Sequence, residues 1–281
     1  MTLCQTITIA RRQLADKYPE REIESLVRIL VKHYAPAFGG ICNAAVHPAA
    51  EQQILSAVDE LKKYRPIQYI LGETEFYRLQ FEVNPDVLIP RPETEELVDW
   101  IVRGYDKNAA LTIVDIGAGS GCIAVALKVN FPNATAWAVD VSEKALSVAQ
   151  RNAEKNNVEI NCLKKDALKD GMMGFEANSI DIIVSNPPYV TPSEKQYMMP
   201  NVLDYEPHCA LFVPENDPLI FYKHIAAFGK ESLKKGGKIF FEINEAYPEE
   251  VAEILKQQGF SDVAPRKDIN DKWRMVAGGN L

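Results

Sequence analysis

The segment Ser179-Ile180-Asp181-Ile182-Ile183-Val184-Ser185-Asn186-Pro187-Pro188-Tyr189-Val190 contains a complete strand and the turn that ends it. Its apolar, β-branched first half predicts a buried strand. The strand must end at Ser185-Asn186, because the ring of Pro187 restricts Asn186 to extended geometry and neither proline has an N–H for a sheet ladder. In an open α/β sheet ligands bind at the carboxyl ends of the strands, so this turn is a candidate site.

The four residues after the strand form a stiff elbow with one primary amide and one aromatic ring. The side-chain oxygen of Asn186 and the backbone carbonyl after it can accept both hydrogens of a planar –NH2 group. The ring of Tyr189 can pack against the plane behind that group. The sequence therefore predicts a catalytic elbow that orients a substrate nitrogen, made of Asn186, Pro187, Pro188 and Tyr189. A turn that only ends a strand is the simpler alternative.

Beyond residue 110 the chain alternates between β-branched apolar runs and amphipathic runs of helical period. The predicted strands cover residues 111–116, 135–140, 159–163, 179–184 and 238–243. The predicted helices cover residues 121–130, 142–156, 217–234 and 248–258, and two late segments, 262–265 and 273–277, are expected to finish the sheet as a hairpin. Strands that alternate with helices imply an α/β fold with a doubly wound, mainly parallel sheet.

A glycine-rich loop, Asp-Ile-Gly-Ala-Gly-Ser-Gly at residues 115–121, follows the first of these strands and opens a helix. Glycines let the backbone turn sharply and approach a ligand without a Cβ in the way. A dinucleotide fingerprint would have its third glycine at position 122, which is Cys122, and the loop has no Walker-type Lys-Ser/Thr pair. The loop therefore favours a nucleoside over a pyrophosphate. Its predicted cofactor-binding residues are Gly117, Ala118, Gly119, Ser120 and Gly121.

Acidic residues follow the next two strands. Asp140 ends the second strand, where a carboxylate can accept both hydrogen bonds of a ribose diol. Asp166 lies just past the third strand, where it could accept from an exocyclic adenine amine. Either acid alone is as well explained as a helix cap or a solvated loop residue. Together with the glycine loop, in this strand order, they favour S-adenosylmethionine as the cofactor.

The first third of the chain differs from the rest. Apolar residues at three-and-four spacing predict helices around 21–34 and 48–61. From residue 76 the period changes to two, with a turn at 84–86 and a return strand at 87–89, which predicts a hairpin. We therefore expect a helical N-terminal domain (1–74), a β-hairpin linker (75–90) and a cofactor domain (91–281). The pattern does not distinguish a domain that docks a partner from a helical bundle with no further role.

Composition limits the possible partners. The net charge of −8 argues against broad nucleic-acid binding. The first thirteen residues have no apolar core of a signal peptide, and no segment approaches membrane-spanning length. Five scattered cysteines without a C-x-x-C pair indicate neither a zinc knuckle nor a disulfide framework, and the four histidines have no metal-ligand spacing. We expect reduced thiols, a cytoplasmic location and no metal.

The order of these motifs resembles the class I S-adenosylmethionine-dependent methyltransferases. Asn-Pro-Pro-Tyr is shared by those that act on planar-system nitrogens, both adenine N6 and glutamine amide. Further stretches resemble the HemK/PrmC family, the N5-glutamine methyltransferases of bacterial peptide-chain release factors. These stretches are Gln68-Tyr69-Ile70-x-Gly72 with Phe76, Ile89-Pro90-Arg91-Pro92-Glu93-Thr94-Glu95, and Tyr205-Glu206-Pro207 with Ala210-Leu211. The resemblance covers nearly the whole chain.

The resemblance implies transfer of a methyl group to the glutamine of a Gly-Gly-Gln loop in class I release factors, with S-adenosylhomocysteine as product. It implies cofactor contacts for Gly117, Gly119, Gly121 and Asp140, and contacts with cofactor and glutamine for Asn186 through Tyr189. It also implies that residues 1–74 dock the substrate protein, and we expect a monomer. One departure is Ala167, which follows Asp166 where an aromatic residue often stands. Adenine stacking at that point is either weaker or supplied by another side chain.

Other functions share much of this pattern. A glutamine methyltransferase acting on a ribosomal protein would need the same chemistry and a different partner. An adenine-N6 methyltransferase would share the elbow, but the acidic balance and the lack of a recognisable nucleic-acid module count against direct nucleic-acid substrates. A silent S-adenosylmethionine-binding adaptor would have no need of an amide-orienting elbow.

Overall fold

The computed structural model describes residues 1–36, 45–171 and 174–281 of the chain. Its helices are α1 (Leu3–Leu14), α2 (Glu20–Tyr34), α3 (Pro48–Leu61), α4 (Ile67–Leu71), α5 (Pro92–Gly104), α6 (Cys122–Asn130), α7 (Glu143–Lys155), α8 (Pro200–Leu203), α9 (Ile220–Ser232) and α10 (Pro248–Gln257). Its strands are β1 (Glu73–Phe76), β2 (Leu79–Glu82), β3 (Thr112–Ile116), β4 (Thr135–Asp140), β5 (Asn161–Lys164), β6 (Ile180–Ser185), β7 (Leu233–Glu242), β8 (Phe260–Lys267) and β9 (Trp273–Asn280). The described residues form two compact units.

The first unit is helical and consists of Met1–Gly72 together with Met199–Tyr205. The Thr2 side chain caps α1 by accepting a hydrogen bond from the backbone of its first turn. The apolar faces of α1, α2 and α3 pack into one core, in which Leu30 and Leu61 are fully buried. Each such side chain contributes about 1.5–3 kcal/mol of burial free energy. The predicted helical character of this part is confirmed, while the domain boundaries proposed from the sequence stay predictions.

The hairpin lies one strand earlier than the sequence predicts. β1 and β2 pair antiparallel around the two-residue turn Tyr77-Arg78, whose φ angles of 49° and 63° are typical of a type I′ turn. Residues 87–89, the expected return strand, are irregular. The prediction of that return strand is wrong because Asn84-Pro85-Asp86 is a strong turn signal, whereas Tyr77-Arg78 lacks the glycine or asparagine that usually marks a type I′ turn. The hairpin belongs to the second unit, which starts at Glu73.

The second unit is built on a seven-stranded sheet of order β5-β4-β3-β6-β7-β9-β8. The strands β5, β4, β3, β6 and β7 are parallel to their neighbours. β9 pairs antiparallel with both β7 and β8, so the late hairpin expected from the sequence is confirmed. The α/β fold with a doubly wound, mainly parallel sheet is confirmed as well.

Helices cover both faces of this sheet. Ile113 and Ile182 point to one face, where they pack against α5, α6 and α7. Their neighbours Val114 and Ile183 point to the other face, against α9 and α10. Side chains of successive strand residues alternate between the two faces, so strands buried on both sides read as continuous apolar runs. This explains why the central strands were the easiest elements to predict.

The strand order reverses between β3 and β6. The chain leaves β3 toward β4 and β5 in one direction, and leaves β6 toward β7 in the other. The hydroxyl of the last β6 residue, Ser185, donates a hydrogen bond of 2.6 Å to the carbonyl of Ile116 at the end of β3. A crevice opens where connections leave a parallel sheet in opposite directions, and ligands bind there. The elbow and the glycine loop both start at this point.

The cysteines differ in part from expectation. Cys122, Cys162 and Cys209 are free thiols, whereas Cys4 is disulfide-bonded. The expectation of reduced thiols is therefore wrong at Cys4.

Candidate active site

A cavity of about 280 Å³ opens at the carboxyl ends of β3, β4 and β6. The glycine loop, the start of α7 and the elbow form much of its wall, and segments 86–88 and 207–210 and the helix α9 complete it. A larger cavity of about 970 Å³ lies along α5 and the hairpin, and none of the predicted site residues lines it. The position at the reversal of the strand order makes the smaller cavity the candidate active site.

The cavity brings most of the predicted site residues together. Those that line it are Gly117, Gly119, Asp140, Asp166, Ala167, Asn186, Pro187 and Pro188. Other predicted site residues lie outside its lining, namely Ala118, Ser120, Gly121 and Tyr189. The residues of the first set face the cavity, and those of the second set pack against other parts of the protein. The two sets are therefore described separately below.

Gly121 is required by packing against α7. A Cβ built on it would lie 2.7 Å from the Cβ of Ala149, and its φ of +76° is in the left-handed region. Ser120 is buried, and its carbonyl accepts a hydrogen bond of 2.9 Å from the side chain of Asn152 on α7. The same Asn152 amide bonds to the backbone N–H and carbonyl of Glu82 in β2. These contacts fix the shape of the loop from behind, on the side away from the cavity.

Gly117 and Gly119 face open space. A Cβ built on either would meet no heavy atom within 4 Å, although both φ angles, +74° and +54°, are left-handed. The backbone N–H of Gly119 donates a hydrogen bond of 2.9 Å to one carboxylate oxygen of Asp140. The loop backbone thus lies directly against the acid at the end of β4, with room beside it for a ligand.

Asp140 is well placed to accept hydrogen bonds from a ligand. One of its oxygens accepts from Gly119 and the other from the backbone N–H of Ser142 at 2.8 Å. Each carboxylate oxygen has a further lone pair available for an additional donor. Burial raises the pKa of this carboxyl above its ordinary value, and the backbone hydrogen bonds oppose the rise.

Asp166 makes contacts of its own. Its carboxylate accepts a hydrogen bond of 2.9 Å from the backbone of Leu168 and forms an ion pair of 2.7 Å with Lys169. The hydrogen bond from Lys169 is the main cause that lowers the pKa of this carboxyl. Asp166 borders the cavity as a structured turn residue, so an adenine amine would share its carboxylate with Lys169.

Tyr189 packs into the core on the α9 and α10 side of the sheet. Burial raises the pKa of its hydroxyl above the ordinary range, and the charge of Glu242 adds to the rise. Its backbone carbonyl accepts a hydrogen bond of 3.3 Å from the side chain of Asn244. Tyr189 therefore supports the elbow from the protein interior and does not line the cavity.

The Asn186 amide is held from behind by two buried residues. Its Nδ2 donates a hydrogen bond of 3.2 Å to the hydroxyl of Thr94 near the start of α5. The Thr94 hydroxyl in turn donates one of 2.6 Å to the carboxylate of Glu242 at the end of β7. Burial raises the pKa of Glu242 to about 7. Thr94 lies within the motif Ile89–Glu95, whereas no motif of the sequence marks Glu242.

Several wall residues were not found from the sequence. Val141 follows Asp140, and Phe221 reaches the cavity from α9. Glu206 is buried and joins two wall segments, since its carboxylate accepts hydrogen bonds from Arg91 at 2.6 Å and from the backbone of Ile89 at 3.1 Å. The motifs around residues 91 and 206 are both visible in the sequence, but a single sequence does not show that they are in contact. Phe221 had no distinguishing signal.

In the parts of the chain that the structure describes, no group of three or more His, Cys, Asp or Glu side chains could hold a metal ion. None of the helices in these described ranges has the length and apolar character needed to span a bilayer.

Comparison with known proteins agrees with this geometry. The family model "Methyltransferase small domain" matches residues 98–203. A solved methyltransferase from Pyrococcus furiosus has a similar fold, with a TM-score of 0.52 and 18% identity over 84% of this chain and 100% of that one. The matched segment is therefore similar to a methyltransferase domain, and the chain shares the fold of a solved methyltransferase.

Two curated relatives narrow the class, and both have the name release factor glutamine methyltransferase. The protein from Flavobacterium psychrophilum is 43% identical over 274 residues, which cover 94% of each chain. The protein from Bacteroides thetaiotaomicron is 42% identical over 273 residues, covering 95% of this chain and 96% of the relative. The chain belongs to the release factor glutamine methyltransferase family. The resemblance seen in its motifs is thereby confirmed.

Proposed function

We propose that this enzyme transfers a methyl group from S-adenosylmethionine to the side-chain amide nitrogen (N5) of the glutamine in the Gly-Gly-Gln motif of bacterial class I peptide-chain release factors. The observation that carries the proposal is the common cavity of the amide-bearing elbow and the glycine loop. Asn186, Pro187 and Pro188 line it together with Gly117 and Asp140. The names of the relatives support the release factor as the protein substrate.

The residues around the cavity fit the nucleoside part of S-adenosylmethionine. Gly117 and Gly119 leave open space for a ligand against the backbone. Asp140 offers carboxylate lone pairs to a ribose diol. Val141 and Leu168 offer apolar surface to a flat base. We infer that these residues hold the cofactor, with Ala118, Ser120 and Gly121 shaping the loop behind them.

The chain has Ala167 where an aromatic residue often stands in the family, so another side chain must supply the aromatic contact. Ala167 lines the cavity without an aromatic ring, and Phe221 lines the same cavity from α9. An aromatic ring supplies a large, flat apolar contact for a base. We propose that Phe221 supplies the aromatic contact with adenine that the family resemblance implies beside Asp166.

The protein's part in the reaction is orientation. S-adenosylmethionine, when bound, supplies an electrophilic methyl group on a sulfonium and leaves as S-adenosylhomocysteine. A glutamine amide nitrogen is a poor nucleophile, because its lone pair is conjugated with the carbonyl. The Asn186 side-chain oxygen and the carbonyl after it accept both amide hydrogens and aim that nitrogen in line with the C–S bond. Well-oriented reactants can gain about 7–11 kcal/mol in this way.

The same hydrogen bonds stabilise the positive charge that develops on the substrate nitrogen during transfer. The extra proton leaves to water afterward, so the proposal needs no histidine base and no metal. Because the proposed substrate belongs to the translation machinery, we propose a cytoplasmic location for the enzyme. A monomeric state and docking of the release factor on residues 1–74 stay parts of the proposal.

The deciding experiment offers the protein labelled S-adenosylmethionine and three substrates: a release factor, a ribosomal protein and duplex DNA. We expect label on the release factor only, and mass mapping should locate it on the Gly-Gly-Gln glutamine. Label on a ribosomal-protein glutamine would replace the proposed substrate with another protein. Label on adenine would overturn the reaction class that we assign to the elbow.

A further inference from the structure

A chain of two hydrogen bonds runs from the elbow into the interior, from Asn186 through Thr94 to Glu242. We call these three side chains the amide relay. Its two links measure 3.2 Å and 2.6 Å. Thr94 is 2% exposed and Glu242 is 1% exposed, so water does not compete for either group. β7 pairs with β6 up to Phe241 opposite Ser185, which places Glu242 one residue beyond the paired ends, behind the elbow.

The chemistry of the relay determines which end of the Asn186 amide faces inward. An ionised carboxylate can only accept hydrogen bonds, so the single proton of the Thr94 hydroxyl is committed to Glu242. The hydroxyl oxygen then has only lone pairs to offer to Asn186. Lone pairs accept from the –NH2 group and repel the amide oxygen. The inward end of the amide is therefore its nitrogen.

We propose that Thr94 and Glu242 are positioning residues for methyl transfer, because through the relay they keep the oxygen of the Asn186 amide turned toward the substrate amide. This role rests on the proposed function, since it concerns the orientation of a substrate –NH2 group. Among the described residues, the Asn186 side chain has no hydrogen bond other than the one to Thr94. Without the relay the Asn186 amide could rotate by half a turn. Its –NH2 group would then face the –NH2 group of the substrate, and both groups are hydrogen-bond donors.

The charge on Glu242 controls this orientation. When Glu242 is protonated, its own O–H donates to Thr94, and the Thr94 proton becomes available to Asn186. The Asn186 oxygen then turns inward and the –NH2 group turns outward, where it opposes the –NH2 group of the substrate. Burial raises the pKa of Glu242 to about 7, so the change falls within the range of an activity assay.

The groups that face Glu242 come from several elements, and they do not cancel this effect. Arg274 on β9 and Arg91 before α5 favour its ionised form, while Glu93 on α5 opposes it. The neutral hydroxyls of Tyr189 on the elbow and Tyr222 on α9 and the thiol of Cys122 on α6 also lie within its electrostatic reach. The Tyr222 hydroxyl donates to the backbone carbonyl of Glu242 at 3.3 Å and leaves its carboxylate to Thr94.

The first test removes the central hydroxyl with Thr94→Val, which keeps the shape of the side chain. We expect kcat to fall on the order of 100-fold, because a small loss of alignment has that effect on an orientation-dependent step. The dissociation constant of S-adenosylmethionine should stay within about twofold. Ser232→Ala is the control, since Ser232 is a fully buried residue at the end of α9 whose hydroxyl donates to the carbonyl of Phe228 and which lies outside the cavity lining. A Thr94→Val enzyme with wild-type kcat would overturn the role.

The second test replaces the titrating group with Glu242→Gln, whose side-chain oxygen can still accept from Thr94 but does not ionise. The wild-type kcat should fall below a pH of about 7, and this limb should be absent in the variant. At high pH the variant should keep kcat within about tenfold of wild type. If Glu242 had a purely structural role, Glu242→Gln would have a lower melting temperature, and its kcat would still fall at acid pH as in the wild type. That result would contradict the proposal.

A third readout does not depend on the substrate. The side-chain –NH2 signals of Asn186 in an NMR spectrum should shift with pH in the wild type, with a midpoint near that of the kcat profile, and should stay constant in Glu242→Gln. If the protein fails to methylate a release factor yet shows this shift, the substrate is wrong and the relay stands. If it methylates the release factor and the Asn186 signals do not respond to pH, the relay is wrong and the proposed function stands.

Discussion

The Asn186 side chain is the smallest unit on which the proposed chemistry depends. Pro187 and Pro188, which line the cavity beside it, have no polar side-chain atom, so no neighbouring side chain of the elbow can replace its acceptor oxygen. In Asn186→Ala, the Cβ remains while the acceptor oxygen is lost. We expect kcat to fall about 10²–10³-fold, as on loss of one oriented polar group in an active site.

The cofactor affinity of Asn186→Ala, measured by calorimetry, should change little, because the glycine loop and Asp140 remain. Asn133→Ala is a suitable control, since Asn133 is exposed and bonds only to the carbonyl of Asn108, among the described residues. An Asn186→Ala enzyme with near-normal methylation of the release factor would rule out the role given to this side chain.

The sequence predicts that Gly121 binds the cofactor. Its close contact with Ala149 on α7 predicts instead that Gly121 is needed for stability. Gly121→Ala forces a residue with a Cβ into a left-handed φ, which costs about 1–2 kcal/mol, and sets that Cβ 2.7 Å from Ala149. Overpacking adds about 1–3 kcal/mol. Gly236→Ala is the matched control, because Gly236 has a φ of +81° and an added Cβ would meet no heavy atom within 4 Å.

Chemical denaturation of both variants separates the two contributions. Both should lose unfolding free energy from the backbone strain, and Gly121→Ala should lose the larger amount. Equal losses would mean that α7 yields to the added methyl group without cost.

At the scale of elements, Glu206 joins two segments of the cavity wall. The segment 86–91 and the segment 206–210 are connected through its hydrogen bonds to Arg91 and Ile89. Glu206→Gln removes the charge and one strong acceptor while keeping the size of the side chain. We expect S-adenosylmethionine to bind about tenfold more weakly, which corresponds to about 1.4 kcal/mol, because both segments line the cavity.

The measurement for Glu206→Gln is again calorimetry, with Asp271→Asn as control. Asp271 forms an exposed ion pair with Lys267 and its side chain is 85% exposed, and such pairs contribute little. Unchanged affinity in Glu206→Gln would show that the wall segments hold their positions without this carboxylate.

The success of sequence prediction also varied by element. β3, β4, β6 and the helices between them were predictable because burial on both faces leaves continuous apolar runs and a regular alternation with amphipathic helices. The hairpin was misplaced because the Tyr77-Arg78 turn has an unusual composition for its φ angles. β7 begins at Leu233 rather than at the expected residue 238, since Gly236 and Gly237 obscured the start of the strand.

Across the whole molecule, the parts of the site that follow a strand end were predictable, and the contacts that join distant segments were not. Asn186 and Asp140 could be assigned because the carboxyl ends of parallel strands meet at one edge of the sheet. The hydrogen bond from Thr94 to Glu242 joins residues 148 positions apart, and that from Arg91 to Glu206 joins residues 115 apart. Periodicity is local, so one sequence holds no record of such pairs.

The stability of the whole molecule should depend on pH through its buried acids. Burial raises the pKa of Glu242 from 4.5 to about 7 and that of Asp115 from 3.8 to about 8. An acid with a raised pKa in the folded state binds its proton more tightly when folded. Its stabilising effect is complete below the unfolded pKa and is lost as the pH rises through the folded pKa.

We therefore expect the unfolding free energy of the wild type to fall between pH 5 and pH 8, by about 3 kcal/mol for Glu242 alone. Glu242→Gln should lack that share and keep the share due to Asp115. Chemical denaturation of both proteins at several pH values measures the difference. A constant difference between them over this range would contradict the raised pKa. If the difference grows as expected, the ionised Glu242 that orients Asn186 for catalysis above pH 7 is also the form that destabilises the fold. The enzyme then gains its amide orientation at the expense of stability.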